Sequence, residues 1–198
     1  MIAPIVFGSS NKGKLAEAQT VGQRFGMPII PPAEVIGRGA PPDVDEVGET
    51  YRANALLKAR AYREWSGAAA LGDDTGLEVE ALGGAPGVFT ARYAGPGATG
   101  AQNIGKLLAA LQGVENRAAV FRCVLVVVTA DDRIIEAEGE LVGSIAHAPR
   151  GSGGFGYDNV FVVEGLGRTL AELKEDPARD VVTHRRRALE ALARTLTA

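Results

Sequence analysis

The stretch Leu71-Gly72-Asp73-Asp74-Thr75-Gly76-Leu77-Glu78-Val79 is the part of the sequence on which the fold depends most. Small apolar residues at 68–71 predict a short buried strand that ends at the two carboxylates, and a second apolar alternation starts at Leu77. Two carboxylates at the end of a buried strand are unfavourable unless a metal ion, a lysine or a helix N-terminus pairs with them. Because Asp and Gly are also ordinary turn residues, an Asp-rich turn without a function is the alternative.

Composition limits the classes of protein that the chain can belong to. Its 198 residues are 46% hydrophobic and 23% charged, which is typical of a globular protein with one domain. The net charge of −3 provides no basic field, so we expect no nucleic-acid and no membrane partner. Residues 1–10 lack a basic segment and predict a first strand rather than a signal peptide. The single cysteine, Cys123, lies in an apolar run and fits a reducing compartment, so we expect a cytoplasmic location.

The first predicted strand covers residues 2–7, and a candidate anion site follows it. The segment Gly8-Ser9-Ser10-Asn11-Lys12-Gly13-Lys14 leads into a predicted helix at 14–25, for which Ser10 or Asn11 is a suitable N-cap. Free N–H groups and the helix dipole favour an anion there. The spacing is not that of a Walker A loop, and an ordinary turn between strand and helix is the alternative.

A second helix, capped by Thr50 and ended by Gly67, carries Tyr51, Ala55, Lys58 and Tyr62 on one face. Lys58 either extends along the apolar surface to reach solvent or faces a charged site. The preceding loop at 31–47 contains Asp43, Asp45 and Glu46. These acids are either solvated or a second source of metal ligands.

The remaining pattern predicts an α/β protein. It consists of a helix at 99–111, an antiparallel pair of strands at 117–129 and 133–145, a strand at 160–163, and a short helix at 169–174. Within the glycine-rich loop at 149–158, Phe155 is either a platform for a flat ligand or packs back on the sheet.

The last predicted helix begins at Thr183 and has His184, Arg185, Arg186 and Arg187 in its first turn. The helix dipole favours acids there, so the cations either hold a phosphate or carbonyl oxygen or are merely solvated.

These segments together resemble the inosine triphosphate pyrophosphatase family, also known as the HAM1-like family. The resemblance lies in Ser9-Ser10-Asn11-Lys12-Gly13-Lys14, residues 48–61, Gly72-Asp73-Asp74-Thr75-Gly76-Leu77, Gly83-Gly84-Ala85-Pro86-Gly87, Gly153-Gly154-Phe155-Gly156-Tyr157-Asp158 and Thr183-His184-Arg185. Each motif is weak alone, but their order is specific and covers residues 5 to about 192.

The resemblance implies a fold and an activity. The fold is a long, curved mixed sheet flanked by helices, with residues 1–198 forming a single domain in two lobes around a central cleft. The activity is hydrolysis of the deaminated purine nucleotides ITP, dITP and XTP to the monophosphate and pyrophosphate, which cleanses the nucleotide pool. Mg²⁺ is the implied cofactor, and a homodimer is the implied assembly.

The resemblance also implies roles for individual residues. Asp74 is the general base and a metal ligand, with Asp45 or Glu46 as further metal ligands, and Lys14 and Lys58 hold the triphosphate. Substrate contacts fall on Ser9, Ser10, Asn11, Lys12, Gly13, Lys14, Thr75, Phe155, Gly156, Tyr157, Asp158, Arg179, His184 and Arg185. In an extended strand neighbouring side chains face opposite ways, so Asp73 supports the site from behind, by binding backbone N–H groups or by steadying a lysine.

Several positions depart from the family pattern, among them Thr183, which stands where the family has serine. Asn159 stands where the family has proline, and Arg186 stands where it has glycine. A lysine that precedes the closing motif is missing, and Arg179 is the nearest basic residue. These changes leave the reaction class unaffected and bear on substrate preference and affinity.

Two other functions remain open. One is a nucleotide-binding or single-strand-binding module without catalysis, in which Phe155 and the segment His184-Arg185-Arg186-Arg187 make the contacts. The other is a related pyrophosphatase that acts on methylated or pyrimidine nucleotides. The net charge disfavours the first, and the Ser-Asn-Lys-Gly-Lys loop disfavours the second.

Overall fold

Strands and helices alternate along the chain in the computed structural model, which describes residues 2–176, 178 and 180–197. The elements are β1 Ile5–Phe7, α1 Lys12–Arg24, β2 Ile29–Ile30, α2 Tyr51–Ser66, β3 Ala70–Val79, β4 Pro86–Gly87, α3 Gly100–Ala110, β5 Ala118–Val128, β6 Ile134–Ile145, β7 Phe161–Val163, α4 Leu170–Lys174 and α5 His184–Thr197. Short 3₁₀ turns lie at Pro32–Glu34, Glu80–Leu82 and Thr90–Arg92.

In the described ranges, seven strands form one mixed sheet. Its order is β2-β1-β3-β5-β6-β7, and β4 pairs with β3. Strand β1 runs parallel to β2 and β3, whereas β4 and β7 run antiparallel to their partners. The predicted α/β class with a mixed sheet flanked by helices is confirmed.

The chain divides into two compact units. The first comprises the residues up to Asp74, Cys123–Gly139 and the residues from His184 onward. Its core is an apolar cluster of the strands β1, β3 and β5 with the helices α1 and α5. The second comprises Thr75–Arg122 and Glu140–Thr183, with its own cluster, which includes Leu107, Phe121 and Phe161. The expectation of one domain in two lobes stays a prediction.

Strand β3 corrects one expectation. The sequence predicts a strand that ends at Leu71, but β3 runs without interruption from Ala70 to Val79, so both aspartates lie inside it. The turn-forming composition of this segment is a local preference, and pairing with neighbouring strands on both sides overrides it.

The helix ends follow the predicted caps. The Asn11 side chain accepts a hydrogen bond from the Lys14 N–H at 3.1 Å, and Thr50 accepts one from the Ala53 N–H at 3.1 Å. Gly67 ends α2 with a φ of 73°. Helix α1 begins at Lys12 rather than at Lys14, so part of the predicted anion loop forms its first turn.

Gly72 permits a close approach between β3 and α2. A Cβ atom at this position would overlap the carbonyl oxygen of Ala55 in α2. The missing side chain therefore lets the strand with the two aspartates lie directly against the helix with Lys58.

None of the helices in the described residues has the length and apolarity that crossing a membrane requires.

Candidate active site

Lys58 occupies the centre of a charged cluster in the first unit. Its side chain is 7% exposed, and its Nζ lies 3.1 Å from Glu46 Oε1 and 3.5 Å from Asp74 Oδ1. Tyr51, Ala55 and Tyr62 on the same face of α2 are buried as well. Of the two alternatives for Lys58, the charged surroundings are therefore the ones observed.

Asn54 lies one turn before Lys58 and is completely buried. Its Nδ2 donates to Asp74 Oδ2 at 3.1 Å, and its Oδ1 accepts from the backbone N–H of Gly48 at 2.7 Å. Asp74 is thus held from α2 by an ammonium group and an amide. No role for Asn54 is predicted from the sequence, although its i−4 position relative to Lys58 places it on the same helix face.

Asp73 has a different set of partners. Its Oδ1 accepts a hydrogen bond from Lys14 Nζ at 2.6 Å, and its Oδ2 accepts one from Arg185 Nε at 2.6 Å. Arg185 Nη1 also donates to Glu17 at 2.8 Å. The sequence predicts that Asp73 either binds backbone N–H groups or steadies a lysine, and its contact with Lys14 is the second of these arrangements. The participation of Glu17 has no signal in the sequence, because 168 positions separate it from Arg185.

The pKa values of the two neighbouring carboxylates are shifted in opposite directions. Burial alone would raise the pKa of Asp73, but the charges of Arg185 and Lys14 and their hydrogen bonds hold that pKa well below its ordinary value. Burial raises the pKa of Asp74, against the opposing charge of Lys58 and the hydrogen bond from Asn54. A raised pKa makes Asp74 the stronger base of the two.

A cavity of about 290 Å³ opens beside this cluster. Gly8, Ser9 and Ser10 line it together with Glu46, Lys58 and Tyr62. The predicted anion loop and the charged face of α2 therefore border the same space. At the start of α1, the Asn11 N–H donates to Ser9 Oγ at 3.2 Å, while Ser10 and Lys12 are exposed to solvent.

The oxygen donors around Lys58 suit a hard divalent cation. In the part of the chain that the structure describes, no three His, Cys, Asp or Glu side chains form a group that could hold a metal ion. Mg²⁺ needs only one or two carboxylates when substrate phosphates and waters complete its shell. Asp74 and Glu46 supply two such carboxylates, and their contacts with the same Lys58 Nζ show that they lie close together. Asp45 is exposed, and no hydrogen bond or ion pair of its carboxylate is found within the described ranges.

The closing motif is buried. His184 and Arg185 are 4% and 1% exposed, and the Arg185 guanidinium contacts Asp73 and Glu17. Arg186 pairs with Glu190 one turn further along α5. Contact of His184 and Arg185 with a nucleobase stays a prediction. Arg179, the other basic residue predicted to bind substrate, lies outside the described residues.

The second unit carries the predicted base-binding loop. Phe155 is 39% exposed, and Lys174 Nζ lies 5.4 Å from the centre of its ring. Asp158 Oδ2 accepts from the Phe155 N–H and from Lys174 Nζ, each at 2.9 Å, which fixes the loop. Phe155 does not belong to the apolar cluster of this unit.

Three further predicted contacts lie in the same unit. Gly156 adopts a φ of 61°, a left-handed conformation that glycine adopts readily. Tyr157 is buried, and its hydroxyl donates to the Thr90 carbonyl at 3.0 Å. Thr75 is half-buried on β3.

Sequence comparison assigns the chain to a family. The sequence profile of the Ham1 family matches residues 5–195. The chain belongs to the Ham1 family. Among its relatives, the dITP/XTP pyrophosphatase of Methylococcus capsulatus is 47% identical over 98% of this chain and 96% of its own length.

Solved structures of Ham1 proteins have the same fold. A Ham1 protein from Coxiella burnetii superposes with a TM-score of 0.85 at 42% identity, over 100% of this chain and 99% of that one. A nucleoside-triphosphatase, or dITP/XTP pyrophosphatase, from Mycobacterium abscessus has a TM-score of 0.76 at 39% identity, over 98% and 100% of the two chains. The resemblance seen in the motifs is thereby confirmed.

Proposed function

We propose that this protein hydrolyses ITP, dITP and XTP to the nucleoside monophosphate and pyrophosphate, and so removes deaminated purines from the nucleotide pool. Ham1 relatives named dITP/XTP pyrophosphatase, at 47% and 43% identity, support this activity. One structural observation carries the proposal. The cavity that Ser9 and Ser10 line is also bordered by Lys58, which contacts Asp74 and Glu46.

Asp74 is the general base in this proposal. Its carboxylate takes a proton from the water that attacks the α-phosphorus, and the bond between that phosphorus and the bridging oxygen breaks to release pyrophosphate. Burial raises its pKa, which makes the carboxylate a stronger base for this proton transfer. Asp73 cannot serve in the same way, because Lys14 and Arg185 hold its proton affinity low.

The phosphates bind to cations and backbone N–H groups. Lys14 and Lys58 provide two positive charges, and the residues 9–13 provide N–H groups at the start of α1, where the helix dipole favours an anion. We assign Thr75 a hydrogen bond to a phosphate oxygen. Asp73 fixes the position of Lys14 through the contact at 2.6 Å.

Asp74 and Glu46 would hold Mg²⁺. We favour Glu46 over Asp45 because Glu46 contacts Lys58 and lines the cavity, whereas Asp45 is exposed. A bound Mg²⁺ supplies neutralisation of the negative charge on the phosphates.

The nucleobase contacts give a physical basis for specificity. Phe155 offers an exposed ring for stacking, while His184 and Arg185 donate to the 6-oxo oxygen of a deaminated purine. Adenine has an amino donor at that position, so a pair of donors would be left facing each other without acceptors. Sites that form hydrogen bonds reject such a mismatch strongly.

A substrate panel tests the function. The purified protein is incubated with Mg²⁺ and each of ITP, dITP, XTP, ATP, GTP, a methylated nucleotide and a pyrimidine nucleotide, and pyrophosphate and orthophosphate are measured separately. We expect pyrophosphate from the first three. Orthophosphate release, or turnover confined to methylated or pyrimidine nucleotides, contradicts the proposal. Binding of oligonucleotides without any turnover would favour a binding module.

We further propose that the enzyme is a homodimer in the cytoplasm. The Cys123 thiol is buried and forms no disulfide within the described residues, which is consistent with a reducing compartment. Light scattering during size-exclusion chromatography measures the assembly, and fractionation of cells measures the location. A monomeric mass would contradict the homodimer, and secretion of the protein would contradict the cytoplasmic location.

A further inference from the structure

Asn54 lies at the junction of the two segments that carry the acidic residues of the site. Its amide contacts Asp74 on β3 and Gly48 in the loop that precedes α2. Gly48 is two residues from Glu46, which contacts the same Lys58 ammonium as Asp74 does. Asn54 and Lys58 are one turn apart on α2, so this helix contacts Asp74 at two points, Glu46 at one, and the backbone of the Glu46 loop at Gly48.

The orientation of the amide follows from its partners. An ionised carboxylate only accepts hydrogen bonds and a backbone N–H only donates, so the NH₂ group must face Asp74 and the carbonyl oxygen must face Gly48. Both ends of the side chain are used, and the side chain is completely buried. A rotation that broke one contact would break the other and leave a buried polar group without a partner.

The fit around the amide is close. A Cβ atom at Gly48 would lie 2.6 Å from Asn54 Oδ1 and 2.8 Å from the Ala53 side chain. A larger residue at position 48 would therefore displace the loop from the amide. The loop that carries Glu46 is thus seated on Asn54 by shape as well as by the hydrogen bond.

We propose that Asn54 is a positioning residue for the reaction, which holds the carboxylate of Asp74 and the Glu46 loop in one fixed relation. This inference rests on the proposed function, in which Asp74 is the base and Glu46 a metal ligand. Loss of the amide leaves Lys58 as the remaining contact between α2 and Asp74 among those described above. Asp74 then points at the attacking water less often, whereas the cations that bind the phosphates are unchanged.

A second buried asparagine supplies a matched control. Asn103 on α3 is 3% exposed, its Oδ1 accepts from the Ala94 N–H at 2.7 Å, and its Nδ2 donates to the Ala91 carbonyl at 3.0 Å. It ties a loop to a helix as Asn54 does, but among the described residues its hydrogen bonds go to the backbone and not to a carboxylate. Asn54→Ala and Asn103→Ala therefore remove a comparable structural tie, and only the first removes a contact with Asp74.

The two variants are compared by steady-state pyrophosphate release from ITP and by thermal unfolding. Both variants lose buried hydrogen bonds, so we expect the unfolding temperature of each to lie about 3–10 °C below that of wild type. Asn54→Ala should lower kcat about 10- to 100-fold with KM within about 3-fold, because a misplaced base affects the chemical step more than binding. Asn103→Ala should keep both constants near wild type. An unchanged kcat in Asn54→Ala, with or without a higher KM, overturns the proposal.

Asn54→Asp keeps the inference testable if the alanine variant does not fold. The new carboxylate is similar in size and still accepts from the Gly48 N–H, but when ionised it has no donor for Asp74 and adds a like charge. We expect kcat to fall at least 10-fold, about the loss that misplacement of a reacting group causes. Wild-type kcat in this variant overturns the positioning role. Failure of the proposed function is distinct, because wild type and Asn103→Ala would then also release no pyrophosphate.

Discussion

Asp73 and Asp74 are neighbours in sequence, yet the side chains that surround them give them different tasks. Asp73 is enclosed by two cations and has a lowered pKa, which suits a permanent charge that orders Lys14 and Arg185. Asp74 meets one ammonium group and one amide and has a raised pKa, which suits proton transfer. A substitution at Asp73 should therefore mainly lower stability, whereas a substitution at Asp74 should mainly lower turnover.

Asp74→Asn should abolish most turnover and leave the protein folded. General-base catalysis contributes about 10²- to 10⁴-fold to a rate, so we expect kcat to fall by that factor. Lys58 keeps Glu46 as a partner, so unfolding should shift little. Pyrophosphate release from ITP and thermal unfolding are measured together, with the exposed Glu64→Gln as control. Turnover within 10-fold of wild type would remove Asp74 from the role of base.

Asp73→Asn should mainly destabilise the protein. The substitution leaves the buried Arg185 and the partly buried Lys14 without the carboxylate that they share, and breaking a buried pair in this way costs about 3–5 kcal/mol. The control is Asp131→Asn, which removes an exposed pair with Arg133 and should change stability little, because solvent screens that pair. Urea unfolding measures both. Equal losses in the two variants would show that burial of the Asp73 pairs adds no stability.

The sequence indicates that this acidic pair needs partners, but not which ones. Two carboxylates beside a buried strand require compensation wherever they occur, so their importance is a local property. The partners of Asp73 lie 59 positions away, at Lys14, and 112 positions away, at Arg185, and Asn54 lies 20 positions from Asp74. Such pairs depend on how strands and helices pack, and no pattern within a short window of sequence contains that information.

At the scale of elements, local sequence signals predict where helices begin and end better than they predict where strands begin and end. The caps at Asn11, Thr50 and Thr99 depend on hydrogen bonds within three residues, and the predicted helices begin within two residues of the observed ones. Strand β3 depends on neighbours from distant parts of the chain, which is why its predicted interruption at the aspartates is wrong. Packing of β3 on α2 is likewise non-local, and it depends on Gly72.

Gly72→Ala should disrupt that packing. A Cβ atom there overlaps the Ala55 carbonyl oxygen, which belongs to the α2 backbone and cannot rotate away as a side chain could. We expect a loss of more than about 3 kcal/mol or no folded protein. Gly105→Ala is the control, because Gly105 lies inside α3 with open space around it and should gain about 0.5–1 kcal/mol. Similar stability of the two variants would contradict the close approach of strand and helix.

Phe155→Ala tests the glycine-rich loop as a base-binding element. Stacking contributes about equally to substrate and transition state, so KM should rise about 10-fold or more while kcat changes less. Phe89→Ala is a matched control, since Phe89 is also exposed and has the cation of Arg92 near its ring. Steady-state kinetics with ITP measures both. A large loss of kcat at unchanged KM would be incompatible with stacking by Phe155.

At the scale of the whole molecule, the fold and the proposed metal should be independent. Mg²⁺ sites that rely on substrate phosphates need few protein ligands, and here the Lys58 ammonium already pairs with both carboxylates that would bind the ion. The free energy of unfolding should therefore not depend on the metal, in contrast to structural zinc domains, which unfold when the ion is removed. Metal removal then separates the reaction from the fold.

Treatment with EDTA should abolish pyrophosphate release while the unfolding temperature stays within about 1 °C of its value in Mg²⁺. Activity is expected to return when Mg²⁺ is added in excess over the chelator, because no part of the protein has to refold. Asp73→Asn provides the comparison, since it lowers the unfolding temperature through the buried pairs whether or not metal is present. A fall of several degrees on chelation of the wild-type protein would mean that a bound cation, and not Lys58 alone, balances the carboxylates in the folded state.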